Sequence, residues 1–144
     1  MSHVLVPLDG SEPSWAALDH AVENYAGDRI TVLHVVDPSA GSYAGAEGGY
    51  YDPVAFDHAR ERGEELCEDA RERLRAAGVL ESTEFETAVE VGGASRTILE
   101  YAKTEDVDHV VIGSHGREGV SRILIGSVAE RVTRRAPVPV TIVR

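Results

Sequence analysis

The sequence has few of the residues that build covalent or metal cross-links. Its 144 residues include one cysteine, Cys67, and six histidines that show no H-x-x-x-H spacing. A lone cysteine cannot form an internal disulfide bond, which suits a reducing compartment, and these residues offer no cluster for zinc. A domain of this length can bury enough apolar surface to fold without either kind of cross-link. We therefore expect one domain, residues 1–144, that is held by packing and contains no metal-ligating side-chain cluster.

The sequence also lacks segments that would direct it into a membrane. Its apolar runs are a few residues long, far short of the roughly 20 residues that span a bilayer. The first residues pass directly into a strand-like run at Val4, with no basic region and no cleavage site before it. We therefore expect a cytoplasmic protein with no membrane association.

Lysine is scarce, and acidic residues dominate the charge. Lys103 is the only lysine among 14 basic residues, against 25 acidic ones, and the formal net charge is −11. An acidic surface repels a polyanion, so we expect no nucleic-acid partner. Lys103 lies within a predicted helix and the motif G-x4-G-K-[ST] does not occur, which excludes that phosphate-binding loop.

Two further motifs are missing. The first strand ends in Asp9-Gly10-Ser11 rather than in the dinucleotide fingerprint G-x-G-x-x-G, and no G-x-S-x-G nucleophile elbow occurs. Ser114 and His115 are adjacent, but neighbouring side chains need not meet, and no acid is identifiable that would orient the histidine. We therefore assign no catalytic residue from the sequence.

Hydrophobic patterns predict five strands and four helices in strict alternation. The strands are predicted at residues 4–8, 30–36, 83–91, 109–112 and 140–143, and the helices at 11–27, 53–77, 95–104 and 127–135. Residues 39–52 have no periodicity and are predicted as a loop. Such alternation indicates an α/β fold with a three-layer, open, parallel five-stranded sheet and helices on both faces. Right-handed crossovers favour the Rossmann-like strand order 3-2-1-4-5.

Glycines punctuate the segment that follows the fourth predicted strand. Gly113, Gly116, Gly126 and Ser127 have the spacing G-x2-G-x9-G-[ST], between a buried strand and a helix. Glycine lets the backbone approach an anion closely, and the amides at a helix start favour phosphate. A side chain at position 126 is therefore expected to block a phosphate. Asp9 lies at the tip of the first strand, which neighbours the fourth in the predicted order.

On these residues the chain resembles the ATP-binding branch of the universal stress protein family over essentially its whole length. The opening from Val6 to Ser11 and the closing stretch from Pro137 to Val143 are also similar to the family's two ends. The resemblance implies an adenine nucleotide alpha-hydrolase-like fold that binds ATP, with Mg2+ or Mn2+ carried on the phosphates. Its implied site residues are Pro7, Asp9, Val35, Val36, Gly113, Ser114, Gly116, Arg117, Gly126, Ser127 and Val128. Asp9 would lie near the ribose, the backbone at Val35 and Val36 would meet the adenine, and the residues from Gly113 onward would surround the ribose and phosphates.

The resemblance also implies a homodimer through the last strand, between Val138 and Val143. An apolar edge strand needs a partner or protection, so this pairing is physically reasonable. The leading hypothesis is a nucleotide-dependent sensor or switch in the stress response, with an unidentified regulatory protein as its partner. A slow ATP hydrolase and a nucleotide-independent interaction scaffold are the alternatives.

Overall fold

The main sheet has the predicted strand order. The structure is a computed structural model that describes residues 1–43, 50–115 and 125–144. The sheet consists of β1 (His3–Pro7), β2 (Arg29–Val36), β3 (Glu84–Val91), β4 (His109–Gly113) and β5 (Val140–Val143). All neighbouring strands are parallel, in the order β3-β2-β1-β4-β5, which confirms the predicted order 3-2-1-4-5.

Four helices connect these strands, and their starting residues match the chemistry of helix caps. They are α1 (Glu12–Tyr25), α2 (Pro53–Ala76), α3 (Ala94–Thr104) and α4 (Ser127–Arg135). Ser11 caps α1 by accepting from the amide of Ser14, and Asp52 caps α2 by accepting from the amide of Val54. Both helices also have proline in the first turn, where its missing N–H costs nothing.

The helices cover both faces of the sheet, which gives the three predicted layers. On one face α1 and α2 pack against alternate residues of β1 and β2, with Val4, Val6 and Leu18 completely buried. On the other face α3 and α4 pack against the intervening residues, with Leu5, Val110 and Val132 at the centre. Because strand residues alternate between faces, each central strand contributes to both cores. No helix in the described ranges is long and apolar enough to span a bilayer.

The prediction of a loop over residues 39–52 was wrong in part. A 3-10 turn occupies Pro38–Gly41, and Ser42–Tyr43 pairs antiparallel with Tyr50–Tyr51. Asp37 starts the turn by accepting from the backbone amide and the hydroxyl of Ser39, and these bonds lower the pKa of its carboxyl group. A Cβ at Gly41 would lie 2.7 Å from the Asp52 carbonyl oxygen, so the two ends of the segment touch. This contact is tertiary, and a hydrophobic period could not reveal it.

Cys67 is buried in α2, as expected, and its environment protects it from reaction. It is 5% exposed, and burial raises the pKa of its thiol to about 11. The reactive thiolate is therefore depleted at neutral pH. We expect a thiol reagent at about pH 8 to label native protein at least a hundred times more slowly than urea-unfolded protein, measured by mass spectrometry. Equal labelling rates would contradict the buried position of this side chain.

Candidate functional site

A cavity of about 420 Å³ opens at the carboxyl ends of the central strands. Its walls come from the tips of β1, β2 and β4 and from the first turns of α1, α3 and α4. The lining residues are Pro7, Leu8, Asp9, Ser11, Ser14, Leu33, Val35, Ala94, Ile98, Ile112, Gly113, His115, Gly126, Ser127, Val128 and Ala129. The volume lies within the range of small-molecule sites, and the position is where α/β sheets bind their ligands.

Most of the predicted site residues meet in this cavity. Pro7, Asp9, Val35, Gly113, Gly126, Ser127 and Val128 all line it. Gly116 and Arg117 lie outside the described residues. The segments that meet here are far apart in sequence, and the predicted strand order was sufficient to bring them together.

Two predicted residues, Val36 and Ser114, do not line the cavity. Val36 is 2% exposed and lines a smaller cavity next to α2, which Val35 also borders. Ser114 is also 2% exposed, and its hydroxyl lies 3.0 Å from Nδ1 of His115. The Ser114 and His115 side chains, which adjacency alone did not require to meet, are therefore in contact.

The inner wall of the cavity is apolar. It is formed by side chains from β1, β2, β4 and α3, namely Pro7, Leu33, Val35, Ile98 and Ile112. Apolar walls with a few polar groups are typical of sites that bind a flat organic ring. In parallel strands the backbone groups at a strand tip lack a further ladder partner, so β2 can also offer hydrogen bonds near Val35.

Asp9 is held at the mouth of the cavity by a tight turn. Its Oδ1 accepts from the amide of Ser11 at 2.9 Å, and Gly10 has the left-handed φ of 87° that this turn requires. The preceding residue is also fixed, because the carbonyl oxygen of Leu8 accepts a hydrogen bond from Nδ1 of His34 at 2.8 Å. Among the described residues Oδ2 of Asp9 has no hydrogen-bond partner, so this oxygen is available to a ligand hydroxyl.

The first turn of α4 presents unpaired amides beside the cavity. Gly126 is the N-cap residue, and it supplies no side-chain cap. The carbonyl of Gly126 accepts from Glu130, whereas the amides of Ser127, Val128 and Ala129 have no protein acceptor within the described residues. Such amides and the positive end of the helix dipole attract an anion.

Gly113 and Gly126 lie so close to other parts of the chain that a side chain at either position would clash within the protein. A Cβ at Gly113 would lie 2.6 Å from the backbone carbon of Pro13, and one at Gly126 would lie 2.9 Å from Cα of His115. Position 126 therefore joins the two ends of the glycine-punctuated segment, and its amide donates to the Ser114 carbonyl at 2.5 Å. A side chain at position 126 would therefore also disturb the contact between Gly126 and His115, in addition to the predicted block of a phosphate.

The sequence interpretation missed several lining residues, of which two could have been found. Ala94 and Ile98 bring the start of α3 to the cavity, and Gly93 caps that helix without a side-chain bond. The pair Gly92-Gly93 after β3 is the signal, because it joins a strand tip directly to a helix start. His115 stands next to Ser114 in the motif, but only the folded chain shows that it lines the wall.

A doubly wound parallel sheet with a ligand-sized crevice at its strand tips is the architecture of an α/β protein that binds its ligand at the topological switch point. The whole chain, residues 1–144, matches the Universal stress protein family, and the protein belongs to that family. This finding confirms the recognition made from the sequence motif.

Individual relatives agree with this assignment. Universal stress protein MJ0531 of Methanocaldococcus jannaschii is 33% identical over 98% of this chain and 81% of its own length. A protein of the family from Burkholderia pseudomallei is 30% identical in its crystal structure, with a TM-score of 0.74 over 99% of this chain and 95% of that one. The crystal structure of a universal stress protein in complex with cAMP is 26% identical, with a TM-score of 0.73 over 99% and 97% of the two chains.

Proposed function

We propose that this protein is a cytoplasmic, ATP-binding regulatory protein that acts as a nucleotide-dependent sensor or switch in a homodimer. The observation that carries the proposal is the cavity itself, in which an apolar wall, the carboxylate of Asp9 and the uncapped start of α4 lie together. These three features match a heteroaromatic base, a ribose and a phosphate chain. The similar protein in complex with cAMP supports an adenine nucleotide as the ligand.

The ligand would lie across the strand tips, from β2 to the start of α4. In this arrangement the adenine packs on the wall near Val35, and Oδ2 of Asp9 accepts from a ribose hydroxyl. The phosphates reach the amides of Ser127 and Val128. Gly116 and Arg117, which lie outside the described residues, stay predicted phosphate neighbours from the sequence motif. Within the described residues no group of three acidic, histidine or cysteine side chains could hold a metal. Mg2+ or Mn2+ would therefore be carried on the phosphates, which supply oxygen ligands.

No specific observation favours either alternative function, the slow ATP hydrolase or the scaffold that binds no nucleotide. In the proposed arrangement both carboxylate oxygens of Asp9 are used, Oδ1 by the Ser11 amide and Oδ2 by the ribose, so Asp9 is not free to activate a hydrolytic water. A scaffold without nucleotide would not need an open cavity at the switch point. Calorimetric titration with ATP tests the proposal, and absence of binding would overturn it.

The proposed dimer uses the free side of β5. The carbonyls of Pro139 and Val143 accept from the amides of Val110 and Ser114 on β4. In a parallel ladder the intervening residues then direct their backbone groups outward, so Val140 and Ile142 offer unpaired groups at the sheet edge. A second copy of the chain could pair with these groups about a twofold axis.

Val140→Pro is expected to convert the dimer to a monomer, because proline removes the outward amide and leaves the β4 ladder intact. Analytical ultracentrifugation measures this change. Val91→Pro is the matched control, since Val91 is 42% exposed at the end of the opposite edge strand. A dimer that survives Val140→Pro would contradict the proposed interface.

The proposed switch makes a separate prediction. Saturating ATP should change the dimer dissociation constant of the wild type, and an unchanged constant would contradict a nucleotide-dependent switch.

A further inference from the structure

His115 lies where the cavity meets the start of α4. It lines the cavity together with Gly126 and Ser127. Its main chain lies directly against Gly126, since a Cβ built there would be 2.9 Å from Cα and 3.2 Å from Cβ of His115. The histidine is therefore a neighbour of the amides that the proposed phosphates would meet.

Ser114 fixes the imidazole in this position. The Ser114 amide donates to the Val143 carbonyl at 2.8 Å, and its carbonyl accepts from the Gly126 amide at 2.5 Å. Its hydroxyl lies 3.0 Å from Nδ1 of His115, and the residue is 2% exposed. A hydroxyl anchored in this way positions the ring through Nδ1. Within the described residues Nε2 has no hydrogen-bond partner, so it is available to a ligand.

His115 differs from the other described lining residues in the charge that its side chain can carry. The described lining residues include one acid, Asp9, and one side chain that can become positive, His115, with no lysine or arginine among them. The start of α4 contributes the equivalent of roughly half a positive charge. The described wall thus has no permanent cation for a ligand that carries several negative charges.

We propose that His115, positioned by Ser114, is a titratable phosphate ligand, so that the affinity for phosphorylated nucleotides rises as the pH falls through the histidine range. The proposal rests on the proposed function and names a regulator of the same site. A neutral imidazole offers a phosphate one N–H at most, whereas the protonated ring is a cation that donates from both nitrogens. Charge-assisted hydrogen bonds are about twice as strong as neutral ones.

The elements that border this part of the cavity have charged side chains of both signs. They are the tip of β1, the first turns of α1 and α4 and the residue after β5, and their charged residues are Asp9, Glu12, Glu130, Arg131 and Arg144. Glu130 forms an ion pair with Arg134. Asp9 lines the same cavity as His115.

The test compares ATP and adenosine binding by calorimetry at about pH 8 and about pH 5.5, in wild type, His115→Gln and His115→Lys. The wild type should gain about tenfold more ATP affinity than His115→Gln on acidification, because only its imidazole gains a charged hydrogen bond. The comparison of variants cancels the titration of ATP itself. His115→Lys should bind ATP well at both pH values, and adenosine should show no such difference. His58→Gln, an exposed histidine of α2, is the matched control and should behave as wild type.

Nuclear magnetic resonance of the wild type gives a second readout that needs no variant. Saturating ATP should raise the titration midpoint of the His115 imidazole by about one pH unit, which corresponds to the tenfold change in affinity. A His115→Gln protein that binds ATP with the full pH dependence of wild type would overturn the inference and leave the proposed function intact. A wild type that binds no ATP at either pH would overturn both.

Discussion

Gly113→Ala is expected to destabilise the protein by about 3 kcal/mol, although it adds a single methyl group. The new Cβ would lie 2.6 Å from the carbon and 2.8 Å from the oxygen of the Pro13 carbonyl group, and 2.8 Å from the Ser14 nitrogen. All three are backbone atoms at the start of α1, so no side chain can rotate away. The strand itself is held on both sides, by β1 and by β5. Relief therefore requires α1 to move away from the sheet.

Equilibrium urea unfolding measures this effect as a fall in the midpoint at an unchanged slope. Gly93→Ser is the matched control, because within the described residues no atom beyond its chain neighbours lies within 4 Å of a Cβ at that position. Gly93 is also the N-cap of α3, where serine can accept from a free amide, so this change should be neutral or slightly stabilising. If Gly113→Ala had the midpoint of wild type, the close approach of α1 and β4 would be wrong.

Ser127→Asp is expected to weaken ATP binding about a hundredfold while leaving the fold as stable as before or slightly more stable. Ser127 is an exposed first residue of α4, and a carboxylate there interacts favourably with the helix dipole. The same carboxylate would stand where the proposed phosphates bind, and like charges a few ångströms apart at a protein surface repel by a few kcal/mol. Opposite effects on stability and on binding distinguish this account from general damage to the protein.

Two comparisons isolate the phosphate contribution in this experiment. Adenosine should bind Ser127→Asp and wild type with similar affinity, because it has no phosphate to repel. Ser82→Asp places the same charge on an exposed serine outside the cavity lining, and ATP affinity should not change there. Full ATP affinity in Ser127→Asp would show that the phosphates do not approach α4.

The fold was predictable because its determinants are local. Apolar runs at Val4 and Val110 indicated buried strands, and Ser11 and Pro13 indicated a helix start. The alternation then required a parallel sheet, and handedness limited its order. The same alternation and handedness predict Asp9 and Gly113 on neighbouring strand tips.

The site was less predictable where backbone pairing or a tertiary contact decides the role of a residue. Val35 and Val36 were both placed at the adenine through their backbone groups, and the carbonyl of Val36 already accepts from the Gly92 amide. A hydrophobic period does not show which backbone groups of a strand tip are paired. The contacts of Gly113 with Pro13 and of Gly126 with His115 join segments that are distant in sequence. These contacts become visible only after the helices have docked on the sheet.

The most direct test of the proposed function is calorimetric titration of the wild-type protein with ATP, ADP, AMP and adenosine in the presence of Mg2+. The account predicts one ATP bound per chain, with affinity falling as phosphates are removed, because the start of α4 contributes only through them. If no adenine nucleotide bound, or if all four compounds bound equally, the cavity between β1, β4 and α4 would not be a site for the phosphates of a nucleotide.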